Sequence, residues 1–358
     1  MESFVYDALP SRVVLGPGSL ARVAEEVRTL GRARAVVLST PQQEGEARAL
    51  ADRLGDLAAG VIAQATMHTP VEVTERVVAR VRELGADCTI ALGGGSTIGL
   101  SKAIALRTGL DQIAVPTTYA GSEMTPILGE TKDGGKTTQR SLAVLPEVVV
   151  YDVDLTLSLP PALSATSGMN AMAHAVEALY ARDRNPIVSL MAEEAIGALA
   201  RALPAIVARP EDREARGQAL YGAYLCGVCL GAVGMALHHK LCHTLGGTFD
   251  LPHAQTHTIV LPHALAYNAP AIPDAMARIA RALGTDDPAR ALYDLAGRLG
   301  APRALAALGM PEAGIEEATE RALAAPYWNP RPLERAGIRA LLARAHAGAP
   351  PLIEEGAA

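Results

Sequence analysis

The sequence predicts two domains of different fold class: an α/β domain with a mostly parallel, Rossmann-like sheet over residues 1–158, and an all-helical domain over residues 159–358. The chain of 358 residues suits about two domains. In the first 150 residues, short runs rich in Val, Ile and Ala alternate with amphipathic stretches, which is typical of strands joined by helices. After Leu159-Pro160-Pro161, alanine- and leucine-rich helical patterns continue to Ala347.

The elements of the first domain follow one another at short intervals. The predicted strands are 13–15, 35–38, 61–65, 88–92, 113–116 and 148–151. The predicted helices between them are 20–30, 44–54, 73–84 and 98–106, with a hairpin turn at 131–138. Sheets of this kind bind ligands beyond the carboxyl ends of their strands.

The totals exclude several classes of partner. A net charge of −6 argues against a nucleic-acid or membrane partner. Residues 217–237 carry no charge, but they are rich in Gly, Ala and Cys, so we predict a packed helix there and not a membrane span. Cys226 and Cys229 have CxxC spacing within that run, and we expect buried, reduced thiols. The first residues lack the pattern of a signal peptide, so we expect a cytoplasmic enzyme.

Two loops at neighbouring strand ends predict a cofactor site. Glycines let the backbone approach a phosphate, and a helix N-terminus attracts it. The first loop joins the strand at 88–92 to a helix, and the second follows the strand at 113–116, where Tyr119 is a candidate to stack on a flat ring. Thr40, at the end of the second strand, has no acidic neighbour to reject a 2′-phosphate, so NADH and NADPH both stay open. The predicted cofactor-binding residues are Gly93, Gly94, Gly95, Ser96, Thr97, Thr117, Thr118, Tyr119, Ser122 and Thr40.

A histidine-rich stretch dominates the second domain. Six of the nine histidines lie in it: His238, His239, His243, His253, His257 and His263. We predict that Gly246-Gly247 ends a helix near Leu245 and that a second helix follows Pro252. Pairs spaced by four residues then share a helix face. Such a pocket suits a metal, an anion or a reacting carbonyl, and the alternative is a set of buried histidines that bond to backbone carbonyls.

A third helix adds Asn170 and His174, again four residues apart. With Gly93-Gly-Gly-Ser96, Pro116-Thr-Thr118, Gly168-Met-Asn170 and Pro252-His253, the chain resembles the iron-containing alcohol dehydrogenase family over almost its whole length. That resemblance implies a dinucleotide-binding domain, a helical domain, an active site in the cleft between them, and a homodimer. In the metal-dependent members, an Asp and three His hold a divalent ion; the matching positions are Asn170, His174, His239 and His253, and His243 matches a residue of the substrate pocket.

Position 170 departs from that pattern, because Asn replaces the only anionic ligand. With this change, the chain resembles the maleylacetate reductase branch of the family, which reduces a carbon–carbon double bond to give 3-oxoadipate. Four further segments carry the same resemblance: the loop Thr117-Thr-Tyr-Ala-Gly-Ser-Glu123, the stretch 129–140, residues 252–257 and Asn329-Pro-Arg-Pro332. The alternatives are a metal-dependent aldehyde reductase, a lyase related to dehydroquinate synthase, and a non-catalytic nucleotide-binding module.

The chemistry of a dicarboxylate with a conjugated ketone assigns roles to these residues. Negative charge develops on the ketone oxygen when hydride adds to the alkene, and imidazole donors can stabilise it. We expect His243 or His253 to donate to that oxygen, with His174 and His239 binding substrate or orienting the donor. Asn170, His257 and Tyr327 are the predicted substrate-binding residues. We expect catalysis without a required Fe or Zn ion, although three His can hold zinc in other folds.

Overall fold

A computed structural model of the chain describes residues 3–132, 135–324 and 327–353. They form two compact units, one of residues 8–159 and one of residues 160–358 with the N-terminal segment up to residue 7. Each unit has its own elements and its own core.

The first unit is built on a six-stranded sheet. Its strands are β1 (Arg12–Gly16), β2 (Ala35–Leu38), β3 (Ala58–Ile62), β4 (Cys88–Gly93), β5 (Asp111–Pro116) and β8 (Val148–Asp152). The order is β1-β8-β5-β4-β2-β3, and every pairing in it is parallel. Strands β4 and β8 are buried at every residue, which explains their continuous apolar runs. The α/β class predicted from the sequence is confirmed.

Four helices cover this sheet: α1 (Val23–Thr29), α2 (Glu44–Leu54), α3 (Val71–Glu83) and α4 (Gly95–Thr108). The antiparallel strands β6 (Ile127–Lys132) and β7 (Gly135–Arg140) form the predicted hairpin, whose turn residues 133 and 134 lie outside the described residues. The strand predicted at 61–65 instead begins at Ala58, because its pairing with β2 and not its own propensity sets its limits. The helix predicted at 20–30 is split, with a 3-10 turn at Ser19–Arg22 before α1.

The strand order places a topological switch point between β2 and β4. From β2 the chain runs outward to β3, and it then crosses to β4 on the other side of β2. Connections that leave in opposite directions open a crevice at the carboxyl ends of the two strands, and that is where open α/β sheets bind ligands. Thr40 follows β2 and the turn at Gly93–Ser96 follows β4, so Thr40 and this turn both lie at the crevice.

The second unit is helical. Its helices are α5 (Pro161–Ala178), α6 (Pro186–Ala208), α7 (Arg213–Ala232), α8 (Leu237–Phe249), α9 (His253–Asn268), α10 (Pro273–Leu283), α11 (Pro288–Arg298), α12 (Gly314–Ala324) and α13 (Arg335–Ala347). Gly168 allows α5 to pack closely on α6, because a Cβ there would lie 2.5 Å from Leu203 Cδ2. Among the described residues, no single helix has the length and hydropathy of a membrane span; α7 and α8 pass that test only together, and they bend by 94°.

The end of α8 corrects one prediction. The helix continues through Gly246 and Gly247 to Phe249, and Asp250 takes the left-handed conformation that we had expected of glycine, with φ 53°. Glycine in a helix interior costs about 1 kcal/mol relative to alanine. Burial of Leu241 and Leu245 in the core shared with α9 offsets this cost, so tertiary packing decides where the helix ends.

Candidate active site

The turn after β4 and the loop after β5 lie side by side in the first unit. Gly93 and Pro116 are register partners in the sheet, and the Thr117 amide donates to the Gly93 carbonyl at 3.1 Å. The two predicted cofactor loops therefore meet at one edge. Their half-buried residues there are Thr40, Ser96, Thr118 and Ser122.

The three glycines of the turn have different surroundings. Gly93 has φ 154°, and a Cβ on it would clash with Thr97 Oγ1. A Cβ on Gly94 would lie 3.0 Å from Thr118 Cγ2. Gly95, the first residue of α4, faces open space. The first two glycines are therefore needed by the protein itself, whereas Gly95 leaves room for a ligand at the helix N-terminus.

Two buried hydroxyls fit a polar cofactor at this edge. Thr97 Oγ1 and Ser39 Oγ are buried and have no hydrogen-bond partner among the described residues. Buried polar atoms are rarely left unpaired, so these two indicate a polar ligand or water nearby. Tyr119 does not fit its predicted role, because its side chain is fully buried and its ring is not accessible for stacking in this conformation.

Lys102 is hydrogen-bonded to the segment that follows β5. Its Nζ donates to the carbonyls of Ser122, Thr125 and Ile127 at 2.6, 2.7 and 2.9 Å, and it lies 3.0 Å from Thr125 Oγ1. Burial lowers the pKa of Lys102 to about 7, and the charge of Glu123 acts in the opposite direction. Burial also raises the pKa of Glu123. The sequence alone did not indicate this role of Lys102 in shaping the loop.

In the second unit, α5 presents three polar residues on one face. Asn170, His174 and Glu177 are spaced by four and three residues, so they line up along the helix. All three are buried, and Glu177 is fully so. Glu177 was missed from the sequence, although its spacing from His174 was a visible signal.

Glu177 joins α5 to the start of α8. Its carboxylate accepts hydrogen bonds from the backbone amides of Ala236 at 3.0 Å and His238 at 2.8 Å, and it lies 2.6 Å from His239 Nδ1. Asn329 supports the same helix end, because its Oδ1 accepts from the Leu237 amide at 3.3 Å. The motif at 329–332 therefore contributes to the position of α8.

Six imidazoles form one contiguous cluster on α5, α8 and α9. The ring centroids lie 4.2 Å apart for His253 and His257, 5.0 Å apart for His239 and His257, and 5.1 Å apart for His174 and His239. The remaining two rings belong to His238, 4.8 Å from His257, and His243, 6.2 Å from His239. The structure thus brings together every histidine predicted for the site and adds His238.

His263 is the exception among the six histidines of the stretch. Six residues after His257, it points about 240° away around α9 at 3.6 residues per turn. It faces Tyr293 instead, with ring centroids 6.4 Å apart. Helical periodicity alone was enough to exclude it from the pocket.

The cluster divides into buried and exposed imidazoles. Burial, and then the neighbouring histidines, lower the pKa of His174, His238 and His257 well below 6.5, so these rings are neutral near pH 7. His243 and His253 are exposed. The two residues predicted to donate a proton are therefore the two in the cluster that are exposed to solvent.

Four buried atoms of Asn170 and the cluster have no hydrogen-bond partner in the part of the chain that the structure describes: Asn170 Oδ1, His174 Nδ1, His239 Nε2 and His257 Nε2. Because buried polar atoms are normally satisfied, this group indicates a binding site for a polar ligand. An ion at the family's metal position would be held by Asn170, His174, His239 and His253. That donor set is entirely neutral, because the Asn170 amide replaces the family's anionic ligand, and it keeps three imidazoles, which hold zinc in other folds.

A second group of potential ligands, His238, Cys242 and His257, lies next to this site. His238 Nε2 is hydrogen-bonded to His257 Nδ1 at 3.0 Å. Cys242 Sγ lies 3.7 Å from His238 Nε2 and 4.0 Å from His238 Nδ1, so the sulfur is not directed at a single ring nitrogen. Burial raises the pKa of Cys242 well above 9. These contacts describe a hydrogen-bonded pair beside a thiol, and they do not fit a metal site.

Tyr327 and Lys240 lie beside the cluster in the same unit. Tyr327 Oη is buried without a partner, and burial and then the charge of Glu177 raise its pKa. Lys240 Nζ lies 5.4 Å from the centre of the Tyr327 ring. A cation and a phenol are groups that bind carboxylates.

Comparison with known proteins gives consistent matches over both units. Residues 10–153 match the family described as iron-containing alcohol dehydrogenase, and residues 164–346 match its C-terminal part. The chain is similar to maleylacetate reductases from Rhizobium sp. strain MTP-10005 (60% identity, 98% of this chain and 100% of the relative) and Sphingobium indicum (62%, 98% and 99%). It is also similar to the crystal structure of maleylacetate reductase from Agrobacterium tumefaciens, with a TM-score of 0.96 at 60% identity, over 98% of this chain and 100% of the other.

Proposed function

This chain belongs to the iron-containing alcohol dehydrogenase family, and we propose that it reduces the carbon–carbon double bond of maleylacetate to give 3-oxoadipate, with a nicotinamide cofactor as reductant. It is an oxidoreductase, and its relatives named maleylacetate reductase align over nearly its full length. The structural observation that carries the proposal is the set of buried, neutral imidazoles of His174, His238 and His257, together with the buried Asn170, where an amide stands in place of a carboxylate.

The cofactor residues are proposed to act as a cradle. The nicotinamide cofactor, when bound, supplies a hydride. Gly95 and Ser96 leave space at the N-terminus of α4 for its phosphates, and Thr97 contributes an unpaired buried hydroxyl. Thr40, Thr117, Thr118 and Ser122 line the same edge. The absence of an acidic side chain at Thr40 is compatible with both NADH and NADPH.

The imidazoles are proposed to manage the charge that develops on substrate. Hydride addition to the alkene carbon β to the ketone places negative charge on the ketone oxygen, and a hydrogen-bond donor there stabilises the enolate. His243 and His253 are exposed to solvent, so one of them donates to this oxygen, and the α carbon of the ketone is then protonated. His174, His239 and His257 bind or orient the substrate within the buried part.

The two carboxylates of the substrate explain why a carboxylate is disfavoured at position 170. An anion there repels a dianion, whereas the Asn170 amide does not. Lys240 and Tyr327 are proposed to bind one substrate carboxylate, since a charge-assisted hydrogen bond to an ammonium is among the stronger ones. The Lys240 side chain is half-buried, which leaves its ammonium accessible.

We propose that the reaction requires no metal ion. The donor set supports this, because the Asn170 amide replaces the only anionic ligand of the family's metal site. A metal-dependent aldehyde reductase is the second candidate, and one observation favours it: His239 contacts a carboxylate through Nδ1, as metal-binding histidines commonly do. Exhaustive chelation distinguishes the two, because activity that disappears and returns with Zn²⁺ or Fe²⁺ identifies a metal enzyme.

The direct test is oxidation of NADH and NADPH, followed by absorbance with maleylacetate, with simple aldehydes, and with neither. We expect rapid oxidation of the nicotinamide cofactor with maleylacetate, and not with simple aldehydes or without substrate. Equal or faster oxidation with aldehydes refutes the substrate assignment, and no oxidation with any of them refutes the enzyme assignment.

We also propose a cytoplasmic homodimer. The four cysteines are buried and unpaired, which suits a reducing compartment. Strand β1 is an edge strand of the six-stranded sheet, and its outer edge pairs with no strand among the described residues, so it leaves backbone groups available to a second copy. Sedimentation equilibrium tests this, and a monomer at micromolar concentration contradicts it.

A further inference from the structure

Glu177 is surrounded by hydrogen-bond donors. Its Oε2 accepts from the Ala236 amide at 3.0 Å and the His239 amide at 3.4 Å, and it lies 2.6 Å from His239 Nδ1. Its Oε1 accepts from the His238 amide at 2.8 Å and from Tyr180 Oη at 3.5 Å. The side chain is fully buried at the N-terminus of α8, where the helix dipole favours a negative charge. This carboxylate therefore acts as an acceptor at every contact.

The contact with His239 determines which ring nitrogen carries the proton. Because a carboxylate has no proton to give, His239 Nδ1 must donate, and the neutral ring is then the Nδ1–H tautomer. The second nitrogen, Nε2, is left as an acceptor, and it is buried with no partner among the described residues, as is the acceptor Asn170 Oδ1. We propose that Glu177 is a positioning residue that fixes His239 in this tautomer and so makes Nε2 a hydrogen-bond acceptor in the substrate pocket.

The tautomer separates the roles of the histidines. In the tautomer with the proton on Nδ1, His239 cannot donate to an enolate oxygen through Nε2, so the donor is another member of the cluster, and the exposed His243 and His253 remain for that task. His239 Nε2 and Asn170 Oδ1 are both acceptors, and each suits a group that is itself a donor or a cation. The consequence for catalysis rests on the proposed function, whereas the tautomer follows from the contacts alone.

The first test is nitrogen-15 NMR of the wild-type protein labelled on its histidine rings. Protonated and unprotonated ring nitrogens give separate resonances, and the His239 signals are identified by their loss in His239→Gln. We expect protonated Nδ1 and unprotonated Nε2 at His239. A ring protonated at Nε2 alone overturns the proposal. The measurement uses no substrate, so it stands or fails independently of maleylacetate reduction.

The second test is kinetic. Glu177→Gln offers one acceptor oxygen where the carboxylate offers two, and its NH₂ group must face a donor. We expect kcat for maleylacetate to fall by about 10–100-fold, the usual effect of removing a residue that orients a functional imidazole, with KM for the nicotinamide cofactor unchanged. An unchanged kcat in a folded Glu177→Gln protein overturns the proposal.

Tyr180→Phe is the matched control. It removes a donor from the same carboxylate, but from Oε1 and at a long distance of 3.5 Å. We expect the His239 tautomer to stay as in the wild type and kcat to change by no more than roughly twofold, because a bond of that length is weak. A kcat loss in Tyr180→Phe as large as in Glu177→Gln shows a general packing effect and overturns the specific role.

Discussion

Replacement of Gly95 by alanine tests whether the turn after β4 approaches the cofactor. In the protein alone, a Cβ at Gly95 meets no atom within 4 Å, and the backbone there needs no positive φ. At Gly93, two residues earlier, a Cβ clashes with Thr97 Oγ1 and φ is 154°. The two substitutions add the same methyl group to the same turn, but only one of them disturbs the protein itself.

The magnitudes follow from these surroundings. Gly95→Ala should leave the free energy of unfolding unchanged or raise it by up to about 1 kcal/mol, because alanine favours helix. An extra methyl in a tightly packed space costs about 1–3 kcal/mol. If the cofactor fills the space beside Gly95, its Kd rises roughly 5–150-fold at about 1.4 kcal/mol per tenfold. Gly93→Ala should lose about 2–6 kcal/mol of folding stability, from packing and backbone strain together.

The assay combines denaturant unfolding with titration of NADH by fluorescence. We expect Gly95→Ala to be as stable as the wild type and to bind NADH weakly, and Gly93→Ala to be impaired in both. Wild-type NADH affinity in a stable Gly95→Ala protein refutes the proposed phosphate cradle. Normal stability in Gly93→Ala refutes the packing argument for the turn.

Three further predictions concern other buried groups. Lys102→Met leaves the acceptor oxygens of Ser122, Thr125 and Ile127 without their donor and should lower the free energy of unfolding, measured with denaturant, by about 1–3 kcal/mol. Lys132 is exposed, so the control Lys132→Met should change that free energy by less than about 0.5 kcal/mol. Equal effects of the two substitutions contradict the role of Lys102. Burial lowers the pKa of His263 to about 4 from 6.5, so the protein keeps its full free energy of unfolding above pH 6.5 and loses about 3 kcal/mol of it as the pH falls to 4 and the buried ring becomes protonated. His263→Gln should make the free energy of unfolding less dependent on pH over that range. A pH dependence equal to that of the wild type is the contrary result. Asn170→Asp should raise the affinity for Zn²⁺, measured by equilibrium dialysis, and raise KM for maleylacetate; a metal affinity and KM equal to those of the wild type contradict the role given to the amide.

The fold was predictable where short-range patterns determine it. Parallel strands place their carboxyl ends at one edge, so the adjacency of Gly93 and Thr117 followed from finding β4 and β5. Four-residue spacing likewise placed His239 with His243, and His253 with His257, on the faces of α8 and α9. These arguments need only the period of a helix or a strand.

Contacts between distant segments were not predictable in this way. Glu177 contacts the start of α8, which lies about 60 residues further along the sequence. Lys102, in the middle of α4, contacts the loop after β5. Both positions depend on how helices pack, which no local pattern encodes. The end of α8 at Asp250 is a similar case, because packing of Leu245 outweighs the preference of two glycines. His263 differs, because the helical period already placed it on another face.

The central claim is that hydride adds to the alkene of maleylacetate and not to its ketone. NADH carrying deuterium at the transferred position tests it in one measurement, with the product examined by NMR. We predict deuterium on the carbon β to the ketone, next to the carboxylate, in 3-oxoadipate. Deuterium on a carbinol carbon, in a product that keeps its double bond, would contradict the account.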